Sequence, residues 1–163
     1  MKTQGLNLLI IDDDPLVTSR LRNYLNKRFG VDLNITTYNR SADALKKIDK
    51  NTGIVILDTY LEGKSDDSVF KEIKRINPKT EIIMLTKHED IGIAIDIYRE
   101  GAIGFAVKGE NSRKEISSIV YDLITYPIRI LVKEFGISKY LAIFLLAFVS
   151  IGICVIVAMK YVG

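Results

Sequence analysis

Cysteine is almost absent. Cys154 is the only one among 163 residues, so the chain can form no internal disulfide, which fits a reducing compartment without proving one. The N-terminus, MKTQGLNLLIIDDD, lacks the long apolar stretch and small-residue cleavage site of a secretory signal, and the domain that follows is expected to stay where it is made. Internal repeats and low-complexity tracts are also missing. An excess of one charge sign is missing from most of the chain: before Pro127, 19 Lys and Arg face 19 Asp and Glu. The whole net charge of +3 arises after that point, from Arg129, Lys133, Lys139 and Lys160 against Glu134. A basic balance placed there, beside an apolar run, gives no support to nucleic-acid binding.

That apolar run is YLAIFLLAFVSIGICVIVAM, the 20 residues from Tyr140 to Met159, none of them charged. As a helix it would cover about 30 Å, the hydrocarbon thickness of a bilayer. A helix apolar on every side would otherwise need a large protein around it. The run is therefore expected to be a single transmembrane helix. Arg129, Lys133 and Lys139 precede it and Lys160 alone follows, which orients the N-terminal domain toward the cytoplasm at the cytoplasmic membrane. The expected organisation is a domain over 1–126, a juxtamembrane connector over 127–139, the span over 140–159 and a short tail over 160–163. The connector, PIRILVKEFGISK, could lie on the headgroups as a short interfacial helix. Ser150, Cys154 and Ala158 recur every four residues in the span and could let two helices approach, so self-association stays open; chance accounts for them equally well.

Between residues 5 and 126, five short apolar runs alternate with amphipathic stretches. The runs are LNLLII (6–11), LNITTY (33–38), IVIL (54–57), EIIML (81–85) and GFAV (104–107). Helices are expected over Pro15 to Phe29, Ser41 to Lys50, Asp67 to Ile76, Glu89 to Glu100, and Ser112 to Tyr126, the last stopped by Pro127. Spacings such as Val69, Phe70, Ile73 and Ile76 give each helix one face for a sheet. Strands apolar on both faces read as the covered interior of a doubly wound parallel α/β sheet. Parallel strands end on one edge, where ligands of such folds bind.

The first run ends in LLIIDDDP, with three carboxylates in succession. Asp14 before Pro15 is a natural helix N-cap. Asp12 and Asp13 are left, and two adjacent acids at a strand end call for a cation or a local base. The ends of the other runs carry Tyr38, Asp58, Thr86 and Lys108, so polar groups could meet in one pocket.

This constellation resembles the receiver domain of bacterial two-component response regulators, which has a CheY-like fold. The resemblance rests on the acid pair after the first strand, IVILD after the third, the hydroxyl of MLT and the lysine of AVK. Asp58 to Thr86 is 28 residues and Thr86 to Lys108 is 22, the intervals the family leads one to expect. The resemblance implies a five-stranded parallel sheet in flavodoxin-like order 2-1-3-4-5. It implies Asp58 as nucleophile and phosphoacceptor. It also implies a Mg²⁺ held by Asp12, Asp13, Asp58 and the backbone carbonyl of Tyr60, with Asp13 the direct ligand and Asp12 orienting a coordinated water. Lys108 would place a charge on the phosphoryl group and Thr86 a hydroxyl. Thr86 and the aromatic Phe105 would form the switch, Phe105 otherwise reading as an ordinary core aromatic. Such a protein is a phosphoacceptor in signalling rather than an enzyme, with Mg²⁺-dependent self-phosphorylation and slow autodephosphorylation. Its expected partners are a histidine kinase or histidine-phosphotransfer protein and an unidentified downstream protein.

Several positions depart from the family pattern. Lys87 stands after Thr86 where a small residue is usual, Gly109 follows Lys108 where proline is usual, and Glu62 and Asp66 replace a common proline and glycine. Tyr60 and His88 occupy two positions that tune loss of the phosphoryl group. A bulky Tyr60 is expected to hinder water and prolong the phosphorylated state. His88, the sole histidine, reads as a solvated loop residue. The leading reading is a membrane-anchored single-domain receiver that signals by protein contacts, since only a connector and a span follow residue 126. The alternative is a membrane scaffold that keeps the fold without switching. A phosphatase with a nucleophilic aspartate ranks low, because the position where such an enzyme wants a second acid is Tyr60.

Overall fold

A computed structural model describes residues 5–61, 64–65, 67–135 and 139–162. The elements run β1 (Leu6–Ile11), α1 (Pro15–Phe29), β2 (Leu33–Tyr38), α2 (Ser41–Leu45), β3 (Thr52–Asp58), β4 (Tyr60–Leu61), β5 (Lys64–Ser65) and α3 (Ser68–Ile76). They continue as β6 (Glu81–Thr86), α4 (Ile91–Arg99), β7 (Gly104–Val107), α5 (Ser112–Phe135) and α6 (Lys139–Val162). Short 3-10 turns lie at Gly30–Asp32 and His88–Asp90. The chain divides into two compact units, 1–119 and 120–163.

In the first unit, five parallel strands form one sheet in the order β2-β1-β3-β6-β7, as expected for the five apolar runs. Leu8 to Ile11, Ile54 to Leu57 and Ile82 to Leu85 are buried throughout, so the three central strands are covered on both faces. Alternation sends Leu9, Ile11, Val55, Leu57, Ile82 and Met84 to one side, where they pack with Ala44, Phe70, Ile73, Ala94 and Ile97 of α2, α3 and α4. Residues of opposite parity face the other side, where Leu85 meets Leu21 of α1 and Ile116 of α5 around a cleft.

The start of α1 follows the capping rule. Asp14 accepts from the Leu16 and Val17 N–H groups at 2.8 and 3.4 Å, and Pro15 opens the helix, where its missing N–H is harmless. Gly30 closes α1 at φ 53°, a conformation that favours glycine.

Two expected helices end elsewhere. α2 stops at Leu45 instead of reaching Lys50. The cause is Asp49, whose carboxylate accepts from the Asn51 N–H at 2.9 Å and from Thr52 Oγ1 at 3.3 Å, a local turn that competes with the helix. In contrast, α5 does not stop at Pro127 but continues to Phe135. Pro127 removes one intrahelical hydrogen bond, yet apolar residues keep helical spacing across it in Val120, Leu123, Ile124, Ile128 and Leu131. The antiparallel pair of β4 and β5 was not anticipated.

In the second unit, α6 spans 24 residues. Its described side chains are exposed, including Leu141, Phe144, Phe148, Ile151 and Met159, and the Phe144 and Phe148 rings stack at 6.2 Å. Among the described residues, no helix is long and apolar enough to cross a membrane, so the expected span over 140–159 is not shown here. Residues 136–138 of the connector, and the departures at Glu62 and Asp66, lie outside the described residues.

Candidate functional site

The carboxyl ends of β1, β3 and β7 bring three charged side chains together. Asp12 follows β1, and its N–H donates to the Tyr38 carbonyl at 3.2 Å, continuing the β1–β2 ladder by one residue. Its carboxylate is fully buried, and Oδ1 accepts from the Asp14 N–H at 2.9 Å. Asp58 closes β3 and is also buried. Lys108 follows β7, held by its N–H on the Thr86 carbonyl at 2.7 Å. Its ammonium lies 2.8 Å from Asp12 Oδ2 and 2.6 Å from Asp58 Oδ2. Asp58 Oδ1 accepts from the Tyr60 N–H at 3.2 Å.

Burial pushes the Asp58 carboxyl up to about 6. Lys108 pulls against this, the neighbouring Asp12 charge adds to it, and the Tyr60 N–H opposes it. For Lys108, burial alone would depress the ammonium, but the Asp12 and Asp58 carboxylates overcome that and hold it above the ordinary lysine range. The pocket thus keeps two acids in a poorly solvated place by means of one cation.

Asp12 Oδ2 is buried, and its one polar partner among the described residues is the Lys108 ammonium. Asp13 is exposed next to it, and carboxylate oxygens of Asp12, Asp13 and Asp58 lie within 4.8 Å of one another. Three clustered hard oxygen donors suit Mg²⁺ or Mn²⁺ and not a thiophilic metal. The residues present fit the expected ion.

Thr86 is at the same edge and fully buried, but its hydroxyl is engaged elsewhere. It accepts from Thr59 Oγ1 at 3.0 Å and donates its one proton to the Lys87 carbonyl at 3.1 Å. Phe105 is partly buried on the α4 side, its ring 6.4 Å from Tyr98 in an edge-on contact. Of the expected site residues, Asp12, Asp13, Asp58 and Lys108 converge, Tyr60 joins through its N–H, and Thr86 abuts them by its backbone.

One participant and one pairing were not foreseen. Thr59 donates to the Thr86 hydroxyl, and Lys87, noted from the sequence only as an unusual neighbour of Thr86, places its ammonium 5.0 Å from the centre of the Tyr60 ring. Both pairings depend on the register of β3 against β6, where Asp58 lies opposite Leu85. No local motif marks them. A cleft on the α1 and α5 side, lined by Arg20, Leu21, Glu110 and Arg113 among others, reaches Lys108 but none of the three acids.

Comparison with known proteins agrees with this geometry. A profile of the response regulator receiver domain matches residues 8–120. The Pseudomonas aeruginosa two-component response regulator PprB is 34% identical over 109 residues, covering 65% of this chain and 39% of that protein. The Escherichia coli DNA-binding transcriptional regulator NtrC is 29% identical over 100 residues, covering 61% of this chain and 21% of that protein. The chain therefore spans well under half the length of these curated relatives. Among solved structures, a response regulator receiver domain protein from Clostridium thermocellum superposes with a TM-score of 0.63 at 24% identity, covering 74% of this chain and 94% of that one. The BeF3-activated DrrB receiver domain gives 0.61 at 20% identity, covering 74% and 97%, likenesses of fold. With the profile matched over most of its length, this chain belongs to the response regulator receiver domain family.

Proposed function

We propose that the chain is a membrane-anchored receiver that takes a phosphoryl group onto Asp58 from a phosphohistidine donor, a histidine kinase or histidine-phosphotransfer protein, and signals by protein contacts. The observation that carries this reading is the clustering of the Asp12, Asp13 and Asp58 carboxylates, two of them buried, with the Lys108 ammonium paired to Asp12 and Asp58. Acids this crowded are ill suited to stability alone.

In the transfer, a carboxylate oxygen of Asp58 forms a bond to phosphorus as the bond from phosphorus to the donor breaks and the donor leaves with the electron pair. Asp12, Asp13, Asp58 and the Tyr60 carbonyl would hold Mg²⁺. When bound, the ion supplies positive charge against which an anionic donor can approach the acids. Lys108 would pass from Asp58 Oδ2 to the phosphoryl oxygens. The Thr86 hydroxyl would leave the Lys87 carbonyl for the phosphoryl group, and that exchange of partner is the differential contact that lets phosphorylation move the face carrying Phe105. Return to the start requires water to bond to phosphorus while the bond to Asp58 breaks, releasing phosphate.

The membrane part of the reading rests on α6, which is helical through the uncharged stretch 140–159 and exposes large apolar side chains on several sides. Such a surface is unfavourable in water. The cations Arg129, Lys133 and Lys139 ahead of it, against Lys160 alone after it, favour a receiver on the cytoplasmic side.

The test uses the full chain in detergent micelles with Mg²⁺ and acetyl phosphate. Labelling located at Asp58 supports phosphotransfer; no label, under conditions that label an ordinary receiver, favours a non-switching scaffold. For anchoring, alkaline extraction of membranes from expressing cells should leave the chain in the membrane fraction. Its release into the supernatant contradicts the span.

A further inference from the structure

The mouth of the acid pocket has a second built feature. β3 and β6 are parallel neighbours with Asp58 opposite Leu85, so the next residues out, Thr59 and Thr86, meet at 3.0 Å between hydroxyls. One step further, Tyr60 and Lys87 emerge side by side. The Lys87 ammonium sits 5.0 Å from the Tyr60 ring centroid, within cation–π range, and among the described residues it pairs with no carboxylate. Tyr60 opens β4 and is 36% exposed.

The same two residues hold the groups that phosphorylation must move. The Tyr60 N–H binds Asp58 Oδ1 at 3.2 Å, and the Lys87 carbonyl takes the proton of the Thr86 hydroxyl at 3.1 Å. Joining their side chains ties the segment that follows β3 to the segment that follows β6. The ammonium resting on the ring joins the residue two past Asp58 to the residue one past Thr86.

We propose that Lys87 and Tyr60 form a cation–π bar across the mouth of the Asp58 pocket, which slows small phosphodonors entering and water reaching the phosphorylated aspartate. This rests on the phosphoacceptor reading above. Bulk at position 60 alone would hinder water; the bar adds that the hindrance depends on a cation at position 87. A contact of this class at an exposed site corresponds to roughly a two- to fivefold change in an equilibrium or rate. The bar is a positioning device, and neither side chain touches the reacting atoms.

The experiment compares the full chain in micelles as wild type, Lys87→Ala, Lys87→Arg, Tyr60→Leu and the double variant Lys87→Ala with Tyr60→Leu. With acetyl phosphate and Mg²⁺, labelling joins an Asp58 oxygen to phosphorus and releases acetate; after donor removal, hydrolysis releases inorganic phosphate. Lys87→Ala and Tyr60→Leu should each speed both steps about two- to fivefold. The double variant should be no faster than the faster single one, because one contact can be broken only once, and Lys87→Arg should keep wild-type rates because it retains the cation. Wild-type rates in Lys87→Ala, effects that multiply in the double variant, or Lys87→Arg behaving like Lys87→Ala would overturn the bar. A wild type that takes no label at Asp58 defeats the phosphoacceptor reading itself, whereas a labelled wild type with unchanged variants defeats only the bar.

Discussion

The two edges of the sheet treat buried polar groups in opposite ways. At the amino edge, Thr52, Asn77 and Thr80 are buried, neutral and mutually satisfied. The Asn77 amide donates to the Asp49 and Thr52 carbonyls at 3.0 and 3.1 Å, and Thr80 Oγ1 donates to the Thr52 carbonyl at 2.9 Å. Outside them, Asn34 donates to Asn7 at 3.0 Å and Asn7 to the Asn51 carbonyl at 3.2 Å. At the carboxyl edge, two buried carboxylates share one lysine. A fold optimised only for stability would make both edges alike. The difference separates the edge that holds the sheet together from the edge where the proposed phosphotransfer would take place.

Substitutions at the two edges should accordingly fail in different assays. The largest effect is expected from Asp13→Asn, which should reduce Mg²⁺-dependent labelling of Asp58 to background while leaving the melting temperature nearly unchanged, since Asp13 is exposed. Retained labelling would remove Asp13 from the ion site. Next, Asn77→Ala at the amino edge should destabilise the fold by about 2–3 kcal/mol, through the donors withdrawn from buried carbonyls. Chemical denaturation measures this, and the labelling rate of the folded protein should not move.

Asp58→Asn should act in the reverse sense. The folded chain keeps the Asp58 proton up to about pH 6, whereas the ordinary carboxyl value is 3.8. Between those values the folded state binds more protons than the unfolded state, so stability falls as pH rises and the penalty is complete above the folded value. Removing the charge should stabilise the metal-free protein by about 1–3 kcal/mol at pH 7–8, Lys108 retaining Asp12 as partner, and the gain should fade as pH falls through 6 toward 4. Denaturation of both proteins across pH in chelator checks this; a gain independent of pH would mean that desolvation of the charge is not its source. The smallest effect belongs to the exposed Arg75–Glu72 pair at 2.6 Å. Arg75→Ala should change neither labelling nor melting measurably.

Most of the site was legible because each of its charged members ends an apolar run. Asp12, Asp13, Asp58, Thr86 and Lys108 are the first polar residues past buried strands, and a parallel sheet must bring such residues to one edge. Partnerships between side chains of different strands were not legible. Thr59 with Thr86, and Lys87 with Tyr60, follow from a register that apolar runs locate only to within a residue or two. The two-residue strands β4 and β5 are too short to carry a period. α2 ended early because the Asp49 carboxylate found nearer donors than a helix offers. α5 ran past its proline because the apolar spacing continued beyond it. For α2 a specific side-chain hydrogen bond outweighed the local rule.

The central claim is that the crowded carboxyl edge exists to take a phosphoryl group on Asp58. Mass spectrometry of the full chain after incubation with acetyl phosphate and Mg²⁺ tests it most directly. The account predicts a single phosphoryl adduct mapped to Asp58, lost when Mg²⁺ is chelated beforehand and absent from Asp58→Asn. No adduct under conditions that label an ordinary receiver, or an adduct that persists in Asp58→Asn, would contradict it.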